Sequence, residues 1–340
     1  MTDSRADQKH RVLVVGCGSI GKRHIRNLKT LGAGEIAAFD VQAERRAEAA
    51  SIGGVRAVED LAEAWSWNPD VALVTVPNSF HLPMAMEAAR RDCHLFIEKP
   101  LSHRLDGVED LLNIVRDRKL VTLVGCNMRF HPGLKRIKAL LDEGAIGRVV
   151  AARVEGGQYL PDWHPWEDYR RGYSARAELG GGIILDGVHE IDYLRWMLGE
   201  VGAVACFAGH LARLDIDTED TAGILLRFLN GTIGELHLDY VQRIYSRSVQ
   251  IVGDEGTIRW DYTTGEVRWY SAEARGWQVF PNPPDWEANQ MYLDEMRHFL
   301  RCLTREERPL ADVWEGKRTL QVALAAKASS ACGEMIQLGG

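Results

Sequence analysis

No apolar run in this sequence approaches the roughly 20 residues that a bilayer-spanning helix needs. The longest, such as Val71-Ala72-Leu73-Val74, have the length of buried strands. Cysteine is sparse and scattered. Cys17, Cys93, Cys126, Cys206, Cys302 and Cys332 form no C-x-x-C pair and no cluster with histidine at metal-ligand spacing. That argues against a disulfide framework or a metal site and for reduced thiols. Positive charge is in deficit: 41 Lys and Arg stand against 48 Asp and Glu, a formal net charge of -7. Nucleic acid and anionic membranes are therefore poor partners, and any anionic ligand must be held by local donors. Met1 to His10 is polar and charged, without the apolar core of a signal peptide. Together these absences predict a soluble, cytoplasmic protein.

What is present suits two ordinary cores. The chain has 340 residues, 46% of them hydrophobic and 26% charged, which is long for one domain and comfortable for two. Arg11-Val12-Leu13-Val14-Val15 reads as a buried parallel strand. It runs into Gly16-Cys17-Gly18-Ser19-Ile20-Gly21, which fits G-x-G-x-x-G, and then into a helical stretch, Lys22 to Leu31. In that pattern the glycines allow a tight turn, close approach of a pyrophosphate and close helix packing, and the helix N-terminus offers N–H donors to the phosphates. A second strand, Glu35 to Phe39, ends in Asp40, near the offset of about 20 residues expected for an acid that binds a ribose 2′-hydroxyl. Asp40 would repel a 2′-phosphate and so favours NAD, while nearby Arg45 and Arg46 keep NADP possible.

Strand and helix go on alternating. Helix Val58 to Ala64 precedes strand Val71 to Val76, a turn spans Pro77 to His81, and helix Leu82 to Arg91 precedes strand His94 to Ile97. Helix Leu105 to Arg118 then leads to strand Val121 to Gly125. This pattern predicts a doubly wound parallel sheet, a Rossmann domain over residues 1–125. Pro77, Asn78 and His81 follow a strand's carboxyl end and could face the cofactor; His81 reads equally well as a local cap. Glu98-Lys99-Pro100 closes the next strand, where open α/β sheets hold their ligands.

From Cys126 onwards the pattern changes. A helix, Gly133 to Glu143, is followed by strand-like segments at Arg148 to Tyr159, Val201 to Leu211, Ala222 to Leu229, Thr232 to Tyr240, Ser246 to Val252, Gly256 to Asp261 and Glu266 to Tyr270. Residues 126–340 thus read as an α+β domain with a large, mostly antiparallel open sheet. The closing helices, Trp286 to Cys302 and Val313 to Met335, suit packing on either domain. A sheet of that size needs cover for its outer face, which predicts a homo-dimer or homo-tetramer. One helix led by Gly180-Gly181-Gly182 carries Asp186, His189 and Asp192 at intervals of three. A histidine with an acid neighbour is a standard device for holding one tautomer for proton transfer. The loop from Tyr159 to Tyr173, with Trp163 and Trp166, suits a sugar face or a subunit contact.

The G-x-G-x-x-G, the Glu98-Lys99-Pro100 and the glycine-led helix together resemble the family of glucose-fructose oxidoreductase and myo-inositol dehydrogenase, over essentially the whole chain. The resemblance implies a Rossmann domain joined to an α+β domain whose open sheet serves oligomerisation, and oxidation or reduction of sugars, inositols and related polyols with NAD or NADP. It implies cofactor contacts from Gly16, Gly18, Ser19, Ile20, Gly21, Asp40, Pro77, Asn78, His81, Glu98 and Lys99. It makes Lys99 a group that touches both nicotinamide and substrate, His189 the proton acceptor, and Asp192 a substrate-binding acid. Arg129, Tyr159, Trp163 and Trp166 join the expected substrate contacts. The family commonly has an aspartate four residues before the histidine; here Leu185 holds that position and Asp186 lies three before. The shorter spacing either preserves that aspartate's contact or sends Asp186 elsewhere.

The expected chemistry is reversible oxidation of a secondary alcohol on a sugar, amino sugar, nucleotide sugar or inositol. His189 takes the hydroxyl proton and Lys99 bonds the developing alkoxide. An NAD-dependent glycosidase working through transient oxidation, or a non-catalytic NAD(H)-binding regulator, would share these features.

Overall fold

The computed structural model describes residues 10–339. Two compact units make up the chain. The first is the chain through Asn127 together with Ala288–Lys317; the second is Met128–Glu287 with the chain from Arg318 onwards.

In the first unit, β1 (Arg11–Val15), α1 (Ser19–Thr30), β2 (Glu35–Phe39), α2 (Ala43–Ser51), β3 (Val55–Ala57), α3 (Leu61–Ser66), β4 (Val71–Val74), α4 (Asn78–Ala89), β5 (His94–Glu98), α5 (Val108–Arg118) and β6 (Thr122–Gly125) follow in order. The strands form one six-stranded sheet, β3-β2-β1-β4-β5-β6, and every pair in it is parallel. This is the doubly wound order with its switch point between β1 and β4. Val12 to Val15, Val71 to Val74 and Leu95 to Ile97 are buried, as strands covered on both faces must be.

Two segments differ from the expectation. The helix expected over Val58 to Ala64 is instead α3 at Leu61–Ser66, and Val58 to Asp60 ahead of it is non-helical. Asp60 sets the start of α3 by accepting from Glu63 N at 2.6 Å, a cap that the apolar pattern alone conceals. Pro77 to His81 is no free turn, because α4 begins at Asn78 and Pro77 is its cap residue.

The second unit opens with α6 (Pro132–Asp142) and β7 (Val149–Gly157), then passes through single turns to α7 (Ile183–Asp186) and α8 (Val188–Leu198). The strands β8 (Val201–Gly209), β9 (Thr221–Phe228), β10 (Ile233–Asp239), β11 (Ser246–Gly253), β12 (Gly256–Asp261), β13 (Glu266–Ser271) and β14 (Gly276–Pro281) follow. α9 (Asn289–Leu303) belongs to the first unit, α10 (Val313–Cys332) passes from the first into the second, and β15 (Ile336–Gln337) ends the series. A nine-stranded sheet has the order β14-β13-β12-β11-β7-β10-β9-β8-β15. Its pairs are antiparallel apart from β10 with β7. Sequence reading passed over β14 and β15, both short edge or near-edge strands. Alternation is clean in β9: Ala222, Ile224, Leu226 and Phe228 are buried, while Leu225 faces out at 53% exposure. Among the described residues no helix is long and apolar enough to cross a membrane.

Candidate active site

Candidate residues occur in both units. In the first, the G-x-G-x-x-G turn joins β1 to α1. A side chain at Gly21 would strike the Gly16 carbonyl, so only glycine lets the helix start this close to the strand. At Gly18 an added Cβ would meet nothing within 4 Å, which leaves open space beside the helix N-terminus. The first turn of α1 contains no acidic side chain, and its leading N–H groups lack intrahelical acceptors. Gly16, Gly18, Ser19, Ile20 and Gly21 therefore form a cradle that fits a pyrophosphate.

Asp40, at the end of β2, is buried beside that cradle. Its Oδ2 accepts from Cys17 N at 2.7 Å and its Oδ1 from Gln42 N at 2.9 Å. Burial, with Asp40 adding to it, pushes the Cys17 thiol up to about 12, so it stays neutral. Arg46 turns its guanidinium to the backbone carbonyls of Asp40 and Val41, away from a role as a phosphate ligand.

The ends of β4 and β5 are tied together by His81. Its Nδ1 lies 2.7 Å from Pro100 O and its Nε2 2.8 Å from Val76 O. Burial lowers the pKa of this ring despite both carbonyls, so it is neutral and donates to one of them at a time. His81 is thus a cross-link under the Lys99–Pro100 peptide, which is cis, with both ring nitrogens against backbone carbonyls. Glu98 is also engaged within the protein. It is buried, with Oε1 2.7 Å from His24 Nε2 on α1 and Oε2 accepting from Lys99 N at 3.2 Å. Burial opposes its charge, but the His24 hydrogen bond and the charges of His24 and Lys99 hold its carboxyl below the usual range. Glu98 links the phosphate-binding helix to the strand end. Lys99, the next residue, reaches the surface and is half-buried.

In the second unit, the single helix expected after Gly180-Gly181-Gly182 is broken. Gly187 separates α7 from α8, and a Cβ there would lie 2.9 Å from Ile183 O. The break decides where the acids point. Asp186 ends α7 and accepts the Tyr240 hydroxyl at 2.6 Å. Burial, with the Asp186 charge, raises the Tyr240 pKa well above its ordinary value, so the phenol remains a donor. From Gly180 to Arg195 every residue is buried except His189. Glu190, next to it, is anchored inward by a 2.7 Å ion pair with Arg247 on β11.

Two expected substrate contacts go elsewhere. Asp192 accepts from Arg129 at 2.8 and 2.7 Å, and both side chains are only 2% exposed. Thr319 adds a hydrogen bond to Asp192 at 3.3 Å. The pair is buried structure, because a carboxylate and a guanidinium that satisfy each other in the core cannot also present themselves to a ligand. Trp166 is 73% exposed and packs on His164. Trp163, by contrast, lies edge-on to Tyr240 at 5.3 Å, and Arg243 stacks over the Tyr159 ring at 3.6 Å. Tyr240 and His24 were missed at the sequence level. Tyr240 reads there only as the end of a strand, and His24 as one residue of an amphipathic helix.

Comparison with known proteins completes the picture. Residues 10–126 match the oxidoreductase family with an NAD-binding Rossmann fold, and residues 134–259 match the GFO/IDH/MocA C-terminal domain. Inositol 2-dehydrogenase 3 of Saccharopolyspora erythraea is 31% identical over 262 residues, 73% of this chain and 72% of that protein. The chain belongs to the Gfo/Idh/MocA oxidoreductase family. Another relative in it, myo-inositol 2-dehydrogenase of Thermotoga maritima, is 29% identical over 94% of this chain and 96% of its own length. Among solved structures, levoglucosan dehydrogenase in complex with NADH and levoglucosan superposes with a TM-score of 0.87 at 22% identity, over 98% of this chain and 100% of that one. At that identity the likeness speaks for the fold. This Gfo/Idh/MocA protein thus has an NAD(H)-binding Rossmann domain and a second domain of the family's type.

Proposed function

We propose that the protein is an NAD-dependent dehydrogenase of a secondary alcohol on a sugar- or inositol-type ring. The observation that carries this reading is that His189 alone is only half-buried along an otherwise buried stretch of sixteen residues, Gly180 to Arg195. A buried, packed segment that leaves one histidine half-buried is suited to hold a proton acceptor in a fixed place. The family relatives named above act, by their names, on inositols, and the levoglucosan complex adds an anhydrosugar.

NAD, when bound on the Gly16–Gly21 cradle with Asp40 at its ribose, supplies the hydride acceptor. His189 takes the proton of the substrate hydroxyl. Lys99 donates a hydrogen bond to the same oxygen as negative charge grows on it. Tyr159 and Trp163 offer ring faces to the apolar side of the substrate ring. Asp40 favours NAD over NADP, since a 2′-phosphate would bring a second negative charge to it. The outward face of the nine-stranded sheet, with Phe207 at 88%, Leu225 at 53% and Ile233 at 52% exposure, supports a homo-dimer or homo-tetramer joined through that sheet.

The test is a panel of sugars, inositols, anhydrosugars and nucleotide sugars, with NAD and NADP in parallel, read by the absorbance of reduced cofactor. Accumulation of NADH with a polyol supports the reading. Release of an aglycone with no accumulation of NADH would replace it with a glycosidase.

A further inference from the structure

Lys327 on α10 lies far along the chain from His189, yet a continuous series of contacts joins them. We propose that the Glu219–Lys327 ion pair is a positioning device for His189, acting through the one-turn helix α7. This rests on the reading of His189 as the proton acceptor.

The segment ahead of His189 cannot hold itself in place. α7 has four residues, and a single turn is too short to be stable alone. Its leading N–H groups have no partner within the helix, and its cap residue, Gly182, has no side chain to supply one. Glu219 does so from another strand connection. Its backbone carbonyl accepts from Ile183 N at 3.0 Å, and its Oε1 accepts from Ile184 N at 3.4 Å. The carboxylate fills the space that a side chain at 182 would occupy, and Gly182 has a φ of +106° that only glycine adopts readily. Negative charge is favoured at that end of a helix.

Lys327 completes the arrangement. Its Nζ donates to both Glu219 oxygens at 3.0 Å, and the Glu219 side chain is 14% exposed. The cation offsets the desolvation of a carboxylate that would otherwise turn towards water. The residue after Glu219 reaches the other end of α7. Asp220 O accepts from Tyr240 N at 2.8 Å, and the Tyr240 hydroxyl holds Asp186. Glu219 thus grips the start of α7, and Asp220, through Tyr240, grips its end. Beyond Asp186 only Gly187 and Val188 precede His189. A cavity of about 260 Å³, lined by Ile184, Glu219, Lys327 and Ser330 among others, leaves the remaining partner room to move when the other is lost.

The test compares wild type with Lys327→Met, Lys327→Arg, Glu219→Gln and His189→Asn. Hydrogen exchange over residues 182–190 needs no substrate; it should rise in Lys327→Met and Glu219→Gln and return towards wild type in Lys327→Arg. Since a misplacement of about 1 Å costs on the order of 100-fold in rate, kcat should fall roughly 10- to 100-fold in Lys327→Met. NADH affinity should stay unchanged, and the pH-rate limb that His189→Asn abolishes should move. Wild-type exchange and turnover in Lys327→Met would overturn the proposal. So would parallel loss of NADH binding and global unfolding in both Lys327→Met and Glu219→Gln, which would make the pair general structure. If His189→Asn keeps full turnover, the proton-acceptor reading itself fails. If His189→Asn is inactive while Lys327→Met is unimpaired, only the positioning role fails.

Discussion

Arg129 holds Asp192 by two near-parallel hydrogen bonds of 2.8 and 2.7 Å, with both side chains buried. Removing one partner leaves the other charged and unpaired in the core. Arg129→Met should therefore destabilise the protein by roughly 3–5 kcal/mol. The double variant Arg129→Met/Asp192→Leu should lose clearly less, since neither charge remains. Urea unfolding of the three proteins measures both. Equal stability of wild type and Arg129→Met would return this pair to the list of substrate ligands.

His131 predicts a loss of stability in mild acid. Its Nδ1 accepts from Gly133 N at 3.0 Å as the cap of α6, inside a cluster of the Trp260, Tyr262 and Trp286 rings. Burial, helped by Arg247, lowers its pKa from 6.5 to about 4. The native pKa lies below the unfolded one, so between those values the unfolded chain binds a proton that the native state refuses. Stability should fall as pH drops from 6.5 to about 4, by at most about 3 kcal/mol. His131→Asn keeps a capping acceptor and removes the titration. Its stability should be flatter than wild type across that window in denaturant titrations at stepped pH.

Glu98 acts at lower pH. Burial opposes its charge, yet His24 and Lys99 hold its carboxyl below the ordinary value of 4.5. A depressed native pKa adds stability above about pH 4.5 that disappears as pH falls through the native value. Glu98→Gln should be less stable than wild type at neutral pH, and the gap should narrow on acidification. Thermal unfolding at stepped pH tests this, and a constant gap would contradict it.

Asp40 is proposed to set cofactor choice. Asp40→Ser removes the charge at the end of β2 and with it a charged hydrogen-bond acceptor for the ribose. NADH should bind roughly 10- to 100-fold more weakly, and NADPH should gain relative to NADH. Quenching of tryptophan fluorescence by each reduced cofactor gives both constants. An unchanged ratio would remove Asp40 from the account.

Much of this was legible along the chain because it is local. The strand-turn-helix at Gly16–Gly21, the acid at Asp40 and the alternation of strand and helix each depend on neighbours in sequence. What escaped depends on partners brought together by sheet order. His24 meets Glu98 across 74 residues, Arg129 meets Asp192 across 63, Tyr240 meets Asp186 across 54, and Lys327 meets Glu219 across 108. Residue type marks Arg129 and Asp192 as polar and chemically able, but only the fold shows that they face each other. The break at Gly187 was hidden for another reason: the apolar spacing of Ile184, Val188 and Ile191 reads straight through it. The glycine there registers only when Ile183 O and Leu238 are seen against it.

The proposed mechanism gives His189 and Lys99 roles on the substrate alcohol while the Rossmann domain holds NAD. Its most direct measurement is single-turnover NADH formation, with the polyol found by the panel, in wild type, His189→Asn and Lys99→Met, alongside NADH binding. Both variants should bind NADH and lose at least about 100-fold in the rate of NADH formation. NADH formation at the wild-type rate in both would contradict it.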